Sequence, residues 1–161
     1  MRLPWPATFA VATPDDVSIV VRREFGAPPE QVWRAMTDPA HLVRWLGSPE
    51  FPLLTCEMDV RVHGAYRWVF AAPEGRTMGV SGTFDEVSAP RRLVSTEQFD
   101  DFPGPSVNTL LLEASTEGGT EMSLDIRYPD EQTRDGWVAS GMTVGLGAGY
   151  VRLDAVLEGG P

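Results

Sequence analysis

With 161 residues, the chain is sized for one domain, and a chain this long buries roughly 70% of its unfolded surface. It is 42% hydrophobic, has a formal net charge of −10, and its 13 basic residues are all arginine; an acidic chain without basic clusters argues against nucleic acid and anionic membranes as partners. No apolar run reaches the ~20 residues that cross a bilayer, which argues against membrane insertion, and a single cysteine, Cys56, excludes an internal disulfide framework.

Residues 1–16 carry Pro4, Pro6 and Pro14 without a clear period and read as a leader, with Trp5 and Phe9 as points where it packs down. The leader does not read as a secretory signal, because Pro4 and Pro6 interrupt the apolar stretch ahead of Ala10-Val11-Ala12. The expected compartment is cytoplasmic. A single domain is expected over residues 17–161.

Val17 to Phe25 reads as a strand, with Val17, Ile19, Val21 and Phe25 on one face. Val20 and Arg23 break its pattern. Pro28-Pro29-Glu30 opens a helix reaching about Met36, with Val32, Trp33 and Met36 turned inward. Asp38-Pro39 stops that helix and caps a second, which carries Leu42, Trp45 and Leu46 and ends at Gly47.

Strands follow. Leu54, Cys56, Met58 and Val60 alternate onto one face, as do Tyr66, Trp68 and Phe70 after the His63-Gly64 turn. Met78, Val80, Gly82 and Phe84 form the next apolar face. In Leu93 to Phe99, the set Leu93, Ser95 and Phe99 competes with Val94, Thr96 and Gln98 for the inside. Val107–Ala114 pairs with Thr120–Tyr128 across Gly118-Gly119. Met122, Leu124, Ile126 and Tyr128 alternate there with Glu121, Ser123, Asp125 and Arg127, the cleanest two-faced pattern in the chain.

The C-terminal stretch, Pro129 to Glu158, reads as one helix of roughly eight turns. At 100° per residue it gathers Val138, Met142, Leu146, Gly149, Leu153, Val156 and Leu157 on one stripe, with Tyr150 at the edge. Ser140, Thr143, Asp154 and Glu158 form a polar wedge, and Trp137, Val144, Ala148, Val151 and Ala155 a weaker apolar strip. Gly136, Gly141, Gly145, Gly147 and Gly149 interrupt it, each at about 1 kcal/mol relative to alanine. They permit close packing, or leave room for a ligand or a bend. The order of elements is α+β: an antiparallel sheet whose apolar face is covered by the last helix.

Phe25-Gly-Ala-Pro-Pro-Glu-Gln-Val-Trp33, Thr37-Asp38-Pro39, Leu42 and Arg44-Trp45 resemble the start of proteins similar to the activator of Hsp90 ATPase. Gly64-Ala-Tyr66-Arg-Trp68, Gly82-Thr-Phe84-Asp-Glu86, Pro90-Arg-Arg-Leu93-Val94, Tyr128-Pro129 and Ser140-Gly141-Met142 continue the likeness. Leu46 departs from it, standing where many members carry a second Trp. The family belongs to the START-like (Bet v 1-like, SRPBCC) helix-grip superfamily, which includes polyketide cyclases. The resemblance implies a seven-stranded antiparallel sheet wrapped around the C-terminal helix, with a cavity between them for hydrophobic small molecules. It gives architecture more firmly than activity.

No metal-binding spacing surrounds His41 or His63, no base accompanies Cys56, and no phosphate loop or other cofactor signature is present. What remains is a candidate pocket lining: Trp45, Cys56, Met58, Tyr66, Trp68, Phe70, Met78, Phe84, Met122, Leu124, Met142, Leu146 and Tyr150, with Tyr66, Tyr150 and Gln98 as its polar groups. The expected function is non-catalytic binding of a hydrophobic small molecule. One alternative is an enzyme of the cyclase or dehydratase type, for which Glu57, Glu86, Glu97 and Arg67 are the groups to inspect. Another is a chaperone-associated protein-binding module, and the weaker helix strip is a possible homodimer contact.

Overall fold

The structure, a computed structural model, describes residues 9–159; the expected packing of Trp5 lies outside the described residues. The elements are β1 (Ala10–Ala12), β2 (Ser18–Phe25), α1 (Pro29–Thr37), α2 (Pro39–Leu42), β3 (Leu53–Met58), β4 (Ala65–Ala71), β5 (Thr77–Ser88), β6 (Arg92–Phe99), β7 (Ser106–Ala114), β8 (Thr120–Arg127), α3 (Glu131–Ala139) and α4 (Met142–Gly159). The strands form one 8-stranded antiparallel sheet in the order β1-β2-β8-β7-β6-β5-β4-β3. Seven strands were expected; the eighth is β1, which pairs with β2 from within the stretch read as leader. Three residues are too few to show an alternating pattern, so this edge strand carried no periodic signal.

Local chemistry explains most boundaries. Asp38 caps α2 by accepting from the Ala40 amide at 3.0 Å, and Pro39 fills the first helical position, where no amide partner is needed. Asp130 caps α3 by accepting from the Thr133 amide at 2.7 Å. Register shifts between Leu53 and Thr55 and between Phe84 and Glu86 bend the β3–β6 half of the sheet. The first shift corrects the expected face of β3: Leu54 is 61% exposed, while Leu53, Cys56 and Met58 pack against the core.

The expected single terminal helix is two. Gly141 adopts a φ of +82°, a left-handed conformation that costs an L side chain but not glycine, so it ends α3. Ser140 reinforces the stop by donating from Oγ to the Trp137 carbonyl at 2.6 Å. The change of direction leaves Val138 exposed rather than on the inward stripe, whereas Tyr150, Leu153 and Val156 of α4 remain in the core beside Ile19 and Val21 of β2. Within the weaker strip, Val144 (77% exposed) and Val151 (47%) face outward, whereas Trp137 packs against the core.

The largest departure from simple patterning is Arg23. Its side chain shares the inner face of β2 with Ile19, Val21 and Phe25, and the residue is 1% exposed. It forms a two-pronged pair with Asp154 of α4, at 3.1 Å and 2.5 Å. Asp154, expected on a polar wedge, is therefore buried and ties the terminal helix to the sheet. At the far end of α4, Gln31 of α1 donates to the Leu157 carbonyl at 3.2 Å. Arg134 holds α3 to the start of β2 through the Asp15 and Ser18 carbonyls.

Candidate functional site

Between the concave face of the sheet and α3–α4 lie three adjoining hollows that share walls. The outer one, about 770 Å³, lies between the loop after β6 and the α3–α4 break, with Phe102, Pro103, Trp137 and Gly141 on its sides. The middle one, about 310 Å³, reaches from Phe51 and Trp137 inward to Trp45 and Trp68. The innermost, about 170 Å³, ends against Met36, Phe84 and Leu110. Middle and inner chambers share Trp45, Leu46, Trp68, Glu97, Asn108, Leu124 and Leu146.

Hydrogen bonds set the rigid parts of this wall. The Trp45 indole donates to the Ala35 carbonyl of α1 at 2.8 Å, which orients its ring. Arg152 of α4 donates from Nε to the Trp45 carbonyl at 3.0 Å. Tyr66 donates its hydroxyl to the Thr96 carbonyl at 2.8 Å, and its ring lies 4.9 Å from that of Trp68. Trp137 closes the outer side against Phe99 (4.7 Å) and Phe102 (5.4 Å). Gly145 also faces the middle chamber, and a β-carbon there would meet no atom within 4 Å. Gly145 is exposed, so that space is open at the chamber's rim; at Gly147, by contrast, the Phe9 ring lies 3.2 Å from where a β-carbon would stand.

The structure brings together eleven of the residues singled out from sequence. Trp45, Trp68, Leu124 and Leu146 line both inner chambers; Phe70, Met78 and Met142 line the middle one; Met58, Tyr66, Phe84 and Tyr150 line the innermost. Three lie elsewhere. Met122 is buried away from these chambers and borders a separate hollow. Cys56 is half-buried against the core and outside the chamber walls, where burial pushes its thiol pKa up. Gln98 sits on the other face of β6, donating to the Phe99 and Phe102 carbonyls at 2.7 Å and 2.9 Å. Its alternation with Glu97 sends one of the two inside, and the register puts Leu93, Ser95, Glu97 and Phe99 there.

Glu97 is thus the acidic group of the cavity. Burial raises its carboxyl pKa from 4.5 to about 7, opposed in part by a hydrogen bond from Asn108. Asn108 is itself oriented, its Oδ1 accepting from the Ser106 hydroxyl at 2.8 Å, which leaves the amide nitrogen for Glu97. The signal for Glu97 was the parity it shares with Leu93 and Phe99, which was legible but balanced by Val94. Tyr66, Tyr128 and Tyr150 surround it electrostatically, and burial first, then the Glu97 charge, raises the pKa of Tyr66 and Tyr128. The other acid–base candidates face outward: Glu57 is exposed, Glu86 pairs with Arg92, and Arg67 pairs with Asp100 at 2.6 Å.

A further hollow of about 470 Å³ lies among Arg22, Glu24, Glu113 and Glu121, without the aromatic walls of the inner chambers. Among the described residues no group of three or more His, Cys, Asp or Glu is placed to hold a metal ion, and no helix is long and apolar enough to cross a membrane.

No curated protein matches the chain. A crystal structure of a protein from Rhodobacter sphaeroides is 34% identical, with a TM-score of 0.90 and coverage of 94% of this chain and 99% of that one. A solution structure of a protein from Arthrobacter aurescens is 27% identical, with a TM-score of 0.82 and coverage of 94% and 92%. Protein Ms6760 from Mycobacterium smegmatis, 21% identical with a TM-score of 0.83 and coverage of 93% and 96%, shares the fold. These neighbours have the helix-grip architecture described above: a large antiparallel sheet closed by a C-terminal helix. Residues 26–158 match the family described as Activator of Hsp90 ATPase homolog 1-like protein, a span that includes every wall of the two inner chambers, and the chain belongs to that family.

Proposed function

We propose that the chain binds a hydrophobic small molecule between its sheet and C-terminal helices and holds it without converting it. The observation that carries this reading is the middle chamber. Its walls are aromatic and aliphatic, with few polar groups, the usual composition of a small-molecule site. Met78 and Met142, flexible and polarisable, let such a wall adapt to a guest. Native mass spectrometry of freshly purified protein tests the reading, together with fluorescence of the neutral dye N-phenyl-1-naphthylamine. A retained ligand or saturable dye binding, reduced when Gly145→Trp fills the chamber, is the expected result. No retained mass and no dye binding would overturn it.

A second reading is favoured by Glu97. A carboxyl with a pKa near neutrality suits general acid–base work, and the cavity would then belong to an enzyme of the cyclase or dehydratase type. Turnover of a bound compound by the wild-type chain, abolished in Glu97→Gln with binding retained, distinguishes it from the first.

A further inference from the structure

The chemistry around Glu97 narrows the ligand class. Among the described residues, the influences on its carboxyl are the apolar surroundings and one amide, that of Asn108. The nearby Tyr66 hydroxyl is committed to the Thr96 carbonyl and the Tyr128 hydroxyl lies 3.4 Å from the Met142 sulfur. Arg152 also lines the middle chamber; its Nε donates to the Trp45 carbonyl, and it makes no ion pair with Glu97. Of the buried arginines, Arg23 is paired with Asp154, and Arg134 is held by Asp135 and by the Asp15 and Ser18 carbonyls. Among the described residues this carboxyl therefore has the Asn108 amide beside it but no cation paired with it.

A carboxylate on the wall of an apolar cavity without a paired cation is costly, and a ligand that brings one relieves that cost. Trp45 and Trp68 line the same two chambers as Glu97, and indole faces attract cations. The chain's net charge of −10 raises the local concentration of cationic ligands and repels anionic ones.

We propose that the ligand is a hydrophobic amine, bound in its ammonium form with the nitrogen on the Glu97 carboxylate and its apolar body between the tryptophans of the middle chamber. This rests on the small-molecule reading above and specifies it. The Asn108 amide orients the carboxylate, and the ammonium donates to it in a charge-assisted hydrogen bond. A ligand presenting a carbonyl instead would need Glu97 protonated and would bind better as pH falls; an amine needs it ionised and binds better as pH rises.

Calorimetric titration of the full chain with 2-naphthylmethylamine and with 2-naphthylmethanol, at about pH 8 and about pH 5.5, tests this on either side of neutrality. The amine is expected to bind about ten-fold or more tightly than the alcohol at the higher pH, with the preference shrinking at the lower. Glu97→Gln should abolish the preference while keeping alcohol binding, which also shows that the variant is folded; Glu97→Asp, with a retracted carboxylate, should retain a weaker one. Equal binding of the two probes to the wild-type chain would overturn the inference and leave the small-molecule reading standing. So would an amine preference that survives Glu97→Gln, or binding that tightens toward acid. If neither probe nor N-phenyl-1-naphthylamine binds, both the reading and the inference fall.

Discussion

Asp154→Ala should be among the most damaging single substitutions in this chain. The Arg23 side chain is 0% exposed and that of Asp154 9%, and the two groups meet through the two terminal guanidinium nitrogens at 3.1 Å and 2.5 Å. Arg23 also donates to the Glu24 carbonyl at 2.6 Å and lies 5.0 Å from the Phe25 ring centroid, so its guanidinium is fixed in place. Removing the carboxylate takes away the countercharge of Arg23 in a low-dielectric site, at a cost of about 3–5 kcal/mol. That is a large share of the roughly 5–15 kcal/mol that holds a typical domain together. The pair joins strand to helix, so its loss should loosen α4 first. The assay is urea unfolding followed by tryptophan fluorescence, run as a double-mutant cycle with Arg23→Met, Asp154→Leu and the two combined. Each single variant should lose several kcal/mol, whereas the double variant, apolar on both sides, should recover most of the loss. If either single variant cost under about 1 kcal/mol, the value of a solvent-exposed pair, the account of a buried tether would be wrong. Losses that simply add would equally refute it.

Other outcomes follow from named positions. Gly145→Ala adds a methyl where nothing lies within 4 Å and removes a helix-interior glycine, so the denaturation midpoint should rise by the equivalent of about 0.5–1 kcal/mol; a drop would mean the chamber wall is tighter than described. Gly141→Ala places a side chain at a φ of +82° and should destabilise by about 1–2 kcal/mol, read in the same assay. Glu97 has a folded-state pKa raised to about 7 from 4.5, so the stability it contributes as a neutral acid is full below the lower value and lost as pH rises through the upper one. Glu97→Gln should therefore exceed wild type by about 2 kcal/mol near pH 8, after allowing for solvent that reaches the carboxyl through the cavity. That difference should shrink as pH falls toward 4.5; a pH-independent one would show that the carboxyl is not held in an apolar setting.

The strand faces of Tyr66, Trp68 and Phe70, and of Leu124 and Ile126, could be read directly, because side chains in a strand alternate strictly and a buried face demands apolar residues on every second position. The helix cap at Asp38 was equally local, since a cap is made by groups within three residues of one another. These local rules sufficed for the α+β order and for most of the chamber lining. They did not suffice where two segments distant in sequence meet. Arg23 looked like a flaw in its strand because its partner is 131 residues away. Glu97 and Gln98 could not be ranked by pattern, since Val94 and Thr96 are as acceptable inside as Leu93 and Ser95, and only pairing with β5 and β7 settled the register. Likewise, the helix period runs unbroken through Ser140-Gly141, because a glycine tolerates both helical and left-handed φ; in the folded chain Gly141 takes the left-handed value and Trp137 packs against Phe99 and Phe102. Periodicity reports which side of an element is apolar, whereas a cavity, a buried ion pair and a bend each depend on what stands opposite, and that is known only once the chain has folded back on itself.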